Sequence, residues 1–200
     1  MTDTVDFYTN PRSRGAIVHW MLEEVGAEYR MHPLEYGTTM KSPDYLAVNP
    51  MGKVPAICHR GQVVTEGAAI CAYLADAFPE AGLVPPPGER GAYYRWLFFG
   101  AGPVEAAVTN AALGVEVSDD RRGMVGYGSM AQVLDTLEFA VRSAPYLAGE
   151  RFSAADVYTG SQIGWGLAFG TIEDRPAFRD YWARIKDRPA RLRLRNMEEK

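Results

Sequence analysis

The sequence predicts two successive fold classes, a small α/β part and then a larger all-helical part. Three observations carry this reading. Strand-like and helix-like patterns alternate over the first 80 residues in the order β-α-β-α-β-β-α. A proline- and glycine-rich stretch, EAGLVPPPGERG at residues 80–91, then interrupts the pattern. Beyond it there is no convincing strand pattern, and apolar residues recur at helical spacing. The chain therefore divides into residues 1–80, a linker over 81–90 and an all-helical part over 91–200.

Each element has its own signal. VDFYT reads as a short strand. SRGAIVHWMLEEVG places Ile17, Val18, Met21, Leu22 and Val25 on one helical face, with Gly26 as the stop. AEYRMHPLEY is strand-like, and Pro33 lacks a ladder donor, so this strand belongs at an edge. SPDYLAVNP is a short helix with Ser42 as cap and Pro43 at its first position. KVPAICHRGQVVTEG reads as two strands turning at Arg60-Gly61, and GAAICAYLADAF as a helix closed by Pro79. A hairpin after two crossovers gives a small mixed sheet with helices on its faces.

In the second part, Met130, Leu134, Leu137 and Val141 share a helical face. SAADVYTGSQIGWGLAFG opens with a capping-box pattern, Ser153-x-x-Asp156, and Phe152 stands where a hydrophobic staple would. No charge falls between Val157 and Gly170, the mark of a central helix. Its glycines, at 160, 164, 166 and 170, suit close helix packing. They neither match G-x-G-x-x-G nor follow a strand, which argues against a dinucleotide site.

Composition narrows the function classes. A net charge of -4 argues against nucleic-acid binding. The stretch RIKDRPARLRLR carries six cations against one anion and reads as a solvated last helix, with a docking patch as the alternative. The acidic start lacks the features of a secretory leader, and no run of about 18 apolar residues is present, so no membrane span is expected. The two cysteines, Cys58 and Cys71, are too few for a disulfide framework and fit a reducing cytoplasm, where both read as buried, inert thiols. The three histidines are isolated, and no metal-ligand spacing is present, so no metal is expected.

Two short motifs carry chemistry. In NPMGKVPAI, Pro55 stands where a strand should start. It is either an ordinary trans-proline there or a cis-proline. The cis form would turn the Val54 main chain outward to pair with an extended, peptide-like ligand. In TEGAAI, Glu66 and Gly67 stand at a helix N-terminus, whose free N–H groups suit a carboxylate while Glu66 accepts from an ammonium. The simpler alternative is that Glu66 only complements the helix dipole.

Together PRSRGAIVHWMLEEVG, NPMGKVPAI, TEGAAICAYLADAFPE, FSAADVYTG and RPAFRDYWARIKDRPA, in that order, resemble a cytosolic glutathione S-transferase. The Ser13-Arg14 pair and the run from Trp20 to Glu24 look most like the bacterial and fungal branch related to the yeast Gtt proteins. The resemblance implies a thioredoxin-like N-terminal domain, an all-α C-terminal domain and glutathione as co-substrate. It implies a homodimer and a small hydrophobic electrophile as second substrate. Val54 and cis-Pro55 would pair with the cysteinyl part of glutathione, Glu66 and Gly67 with the γ-glutamyl head, and Lys53 and Lys41 with the glycyl carboxylate. The family usually has serine after the glutamate. Gly67 removes that hydroxyl bond, worth about 0.5–1.5 kcal/mol.

A free thiol ionises near pKa 8.5, so the site must favour the thiolate. The resemblance makes Ser13 the leading donor to the sulfur, with Asn10, Arg14 and Tyr8 as alternatives. The electrophile is expected against Tyr94, Trp96, Phe98 and Trp165. The implied activity is conjugation. Glutathione-dependent isomerisation or peroxide reduction is an alternative, as is a carrier with little turnover.

Overall fold

The computed structural model describes residues 3–198. It separates into two compact units, one made of the chain up to Leu83 and from Pro189 onward, the other of Val84–Arg188.

The first unit is built on four strands, β1 (Val5–Thr9), β2 (Tyr29–Pro33), β3 (Ala56–His59) and β4 (Gln62–Thr65), in the order β2-β1-β3-β4. β1 runs parallel to β2 and antiparallel to β3, and β3 and β4 form a hairpin. Pro33 closes β2 at the sheet edge, where no neighbour needs its missing N–H. The hairpin turns at Arg60 and Gly61, both at positive φ, as a two-residue primed turn requires.

Period-two alternation sorts β1. Val5 and Phe7 are fully buried, towards α1 (Gly15–Val25) and α3 (Gly67–Ala77). Asp6 and Tyr8 face the other way, where Tyr8 packs against a small core of Met40, Tyr45 and Ala56 under α2 (Pro43–Val48). On α1 the expected Ile17, Val18, Met21 and Leu22 are buried, and Gly26 closes it at φ 66° by donating to the Leu22 carbonyl.

The second unit is helical among the described residues: α4 (Gly91–Phe99), a π turn with Pro103 inside it, α5 (Glu105–Ala112), α6 (Met130–Ser143), α7 (Ala154–Phe169) and α8 (Pro176–Ile185). α7, which carries no charge after Asp156, is its centre. A Cβ at Gly164 would lie 2.5 Å from the Trp182 ring and one at Gly160 2.5 Å from Ile185, so α8 packs directly on this backbone. The capping box forms, and Asp156 accepts from the N–H groups of Leu147 (2.8 Å) and Ser153 (2.9 Å), the Ser153 hydroxyl (2.9 Å) and the Tyr181 hydroxyl (2.8 Å). Burial pushes the Asp156 carboxyl above its ordinary pKa, and these four donors pull the other way.

The last helix, α9 (Pro189–Glu198), belongs with the first unit, although its sequence follows the helical part. Arg193 donates to the Glu23 carboxylate and to the Glu23 carbonyl, both at 2.8 Å, and the Arg191 guanidinium lies 5.6 Å from the Trp20 ring. Ala190 and Leu194 are buried. The cation-rich stretch is therefore used for anchoring as well as solvation. Arg188 also stacks over Phe152 within the second unit, at 3.7 Å.

Candidate active site

Three chain segments converge on one end of the sheet because of how Ala56 is paired. It stands opposite Tyr8 on one side and Thr65 on the other. The turn that follows β1, the Val54-Pro55 segment that precedes β3, and the Glu66-Gly67 start of α3 all lie within two or three residues of that row. Each sequence motif thus arrives from a different strand.

The Val54–Pro55 bond is cis. The Val54 side chain packs on the Met40–Tyr45–Ala56 core. Its main-chain N–H and C=O make no hydrogen bond to the described residues. The approach to Val54 is held rigidly. Tyr45 and Asn49 both donate to the Lys53 carbonyl, Asn49 from its amide at 2.9 Å, and the Asn49 amide oxygen accepts from the Met51 N–H at 3.1 Å. Burial pushes the Tyr45 phenol up to about 12, so it stays a donor.

Lys41, expected near the glycyl carboxylate, is also engaged within the chain. Its ammonium donates to the carbonyls of Met51 and Gly52, both at 3.0 Å, because the positive φ of Gly52 turns these carbonyls back towards it. Lys41 thus latches the loop that carries Val54, and Lys53 is the exposed cation nearest to that segment in sequence.

Glu66 is exposed at the N-terminus of α3 with φ 67°, a left-handed value that only glycine adopts freely. Such a residue costs of order 1–3 kcal/mol, and its side chain makes no capping bond in return. Glu66 occupies the N-cap position of α3, directly before the first-turn N–H groups.

In the turn before α1, a Cβ at position 15 would sit 2.0 Å from Thr9 Oγ1, so only Gly15 lets the helix start this close to the strand. The Ser13 hydroxyl donates to the Asn10 carbonyl at 2.6 Å and accepts from the Gly15 N–H at 3.0 Å. Asn10 is buried, with its amide donating to the Leu34 carbonyl at 2.7 Å and its oxygen accepting from the Arg12 N–H at 2.9 Å. That double engagement makes it a clamp, so its amide is not aimed outward. Tyr8 is on the opposite face of the sheet, stacked on His32 at 4.7 Å, and burial followed by the influence of Cys58 and Asp6 raises its pKa. It does not face the turn. Arg14 is exposed at the head of α1.

A sequence profile for the glutathione S-transferase N-terminal domain matches residues 3–76. A solved glutathione transferase from Methylococcus capsulatus str. Bath superimposes with a TM-score of 0.79 at 32% identity, over 98% of each chain. The chain belongs to the glutathione S-transferase family. Glutathione S-transferase F9 of Arabidopsis thaliana is 30% identical over 165 residues, 75% of this chain and 76% of its own. A sphingomonad glutathione S-transferase solved in complex with glutathione is 29% identical, with a TM-score of 0.77 over 97% of this chain and 98% of its own.

In the helical unit of this transferase, the expected electrophile residues divide by helix face. Tyr94 and Phe98 are one turn apart on α4 and exposed, Phe98 to 68%. Trp96 is only 4% exposed and sits in the core beside Tyr93 and Leu97. Its carbonyl accepts from the Thr159 hydroxyl at 2.8 Å, which ties α4 to α7. Trp96 is therefore a packing residue, corrected from a pocket wall. Trp165 is half-buried on α7. Cys71 is fully buried and its thiol is pushed far up, as expected. Cys58 is half-exposed beside Asp6 and Tyr8, with a raised pKa, and so is not the buried thiol expected.

Several residues that shape the site escaped the sequence reading: Tyr36, Tyr45, Asn49 and the Thr9–Gly15 contact. An asparagine before proline is a turn signal that could have marked Asn49. Nothing local marks Tyr45 or Tyr36.

Proposed function

We propose that this transferase conjugates the thiolate of glutathione to small hydrophobic electrophiles. The observation that carries the reading is the unpaired Val54 main chain, beside cis-Pro55 and between the two helix starts. It suits an extended peptide ligand with a charged group at one end and a thiol towards the other. The γ-glutamyl head meets Glu66 and the first N–H groups of α3, the cysteinyl backbone pairs with Val54, and the glycyl carboxylate lies towards Lys53. The sulfur then comes to the turn from Asn10 to Gly15, at the N-terminus of α1. There the helix dipole favours an anion and pulls the thiol below its free pKa of about 8.5. Within the helical unit, the exposed side chains of Tyr94 and Phe98 on α4 and the half-buried Trp165 on α7 are the aromatic groups suited to an apolar electrophile.

The titration of glutathione into the protein, followed by conjugation of chlorodinitrobenzene, tests the reading. Saturable binding with steady turnover is expected, and failure to bind glutathione would reject it. Gly67, which lacks the usual hydroxyl, favours a second reading as a glutathione carrier. Binding without turnover on any electrophile panel would select that one. The bacterial relatives support the bacterial and fungal branch, and two free thiols suit work in a reducing cytoplasm. We place detoxification of reactive electrophiles as the role and a homodimer as the working form, which sedimentation at micromolar concentration checks.

A further inference from the structure

We propose that Tyr36 supplies the O–H donor to the glutathione thiolate, and that Ser13 is the residue that positions the turn. The inference rests on the glutathione reading above and goes beyond it by assigning the donor. Tyr36 lies between β2 and α2. Its phenol reaches back over the turn and donates to the Arg12 carbonyl at 3.4 Å, while 56% of the residue is exposed.

The backbone on either side holds it there. Leu34 donates its N–H to the Thr9 carbonyl at 2.8 Å and accepts the Asn10 amide at 2.7 Å, so the loop is fastened to the turn two residues before Tyr36. Glu35 donates its N–H to the Thr39 hydroxyl at 2.7 Å. Gly37, at φ 74°, then directs the chain away. The Leu34 side chain packs on the same small core as that of Val54, which keeps this loop beside the ligand's main-chain partner.

The two hydroxyls differ in how firmly they are committed. A hydroxyl has one hydrogen to donate. That of Ser13 is held at 2.6 Å by the carbonyl of the buried Asn10, and its oxygen also takes the Gly15 N–H. Turning its hydrogen to a sulfur would break the short bond to the Asn10 carbonyl, which ties the serine to the turn. The Tyr36 contact at 3.4 Å lies outside the range of about 2.5–3.0 Å typical of O–H···O bonds, so little is lost when the phenol turns to a stronger acceptor. A thiolate arriving at the turn is such an acceptor. Ser13 acts through Asn10 and Gly15, whose positions fix where the sulfur lies.

Three variants separate these roles: Tyr36→Phe, Ser13→Ala and Ser13→Thr. The readouts are the pKa of protein-bound glutathione, from thiolate ultraviolet absorbance, the pH profile of kcat/KM, and the affinity for S-methylglutathione, which has no thiol. Tyr36→Phe should raise the bound thiol pKa by about one to two units and lower kcat/KM near neutrality about tenfold or more. Its affinity for S-methylglutathione should stay unchanged. Ser13→Ala should weaken S-methylglutathione binding and leave the thiol pKa in place, and Ser13→Thr should restore the affinity. An unmoved thiol pKa in Tyr36→Phe overturns the assignment, as does a raised one in Ser13→Ala. Wild-type protein that binds neither ligand would overturn the glutathione reading itself. A wild type that binds both and depresses the thiol pKa, with no effect of Tyr36→Phe, overturns only the proposal.

Discussion

Replacing Asp156 by alanine should be among the most destabilising single changes in the helical unit. The carboxylate is fully buried and accepts from four donors at 2.8–2.9 Å. Two of these, the N–H groups of Leu147 and Ser153, are main chain and cannot turn to other partners. A buried donor left without an acceptor costs about 1–3 kcal/mol, so these two alone account for about 2–6 kcal/mol. The Ser153 and Tyr181 hydroxyls can rotate, but Tyr181 is itself buried. Against this, the variant no longer buries a carboxylate, which offsets part of the loss. A net loss of about 3–5 kcal/mol is expected, comparable to breaking a buried ion pair. Urea unfolding followed by circular dichroism measures it, and a loss under about 1 kcal/mol would refute the reasoning. The pH dependence has a definite sign. The folded pKa is raised above 3.8, so the folded state binds the proton more tightly than the unfolded chain. This group's contribution is therefore full below 3.8 and is lost as pH rises through the folded value. Asp156→Asn should lack that decline.

Other expectations follow from single residues. Glu66→Gly removes the positive-φ penalty and should stabilise the first unit by about 1 kcal/mol in thermal unfolding, while glutathione affinity falls. Gly164→Ala drives a Cβ to within 2.5 Å of the Trp182 ring and should cost about 1–3 kcal/mol by the same measurement. Iodoacetamide with mass mapping should label the half-exposed Cys58 slowly and leave the buried Cys71 untouched until the protein unfolds.

What the sequence made legible is what local chemistry decides. Gly26, Pro33, Arg60-Gly61 and the Ser153–Asp156 box each stand where backbone geometry allows few residues, and each does the expected work. The period-two alternation of β1 already held the case against Tyr8, since Val5 and Phe7 claim the face towards α1. Helical spacing likewise separates Trp96 from Tyr94 and Phe98, as Tyr93, Trp96 and Leu97 share the buried face of α4. Other features depend on partners far away in sequence. Arg193 finds Glu23 across 170 residues, and no pattern within RIKDRPARLRLR indicates that partner. The Ser13 hydroxyl is a matter of rotamer, set by an Asn10 carbonyl that Leu34 holds through the asparagine amide.

The return of α9 to α1 makes the first unit discontinuous in the chain. Translation delivers the sheet and three of its helices early, but the piece that covers Trp20 and pairs with Glu23 emerges only after the entire helical unit. During synthesis the outer side of α1 is bare for more than a hundred residues of elongation, an interval of several seconds at about 5–20 residues per second. The helical unit, continuous from Val84 to Arg188, can complete its own core in that interval. A fragment ending at Leu83 would keep that bare surface permanently. The sheet unit is thus the first to begin folding and the last to finish.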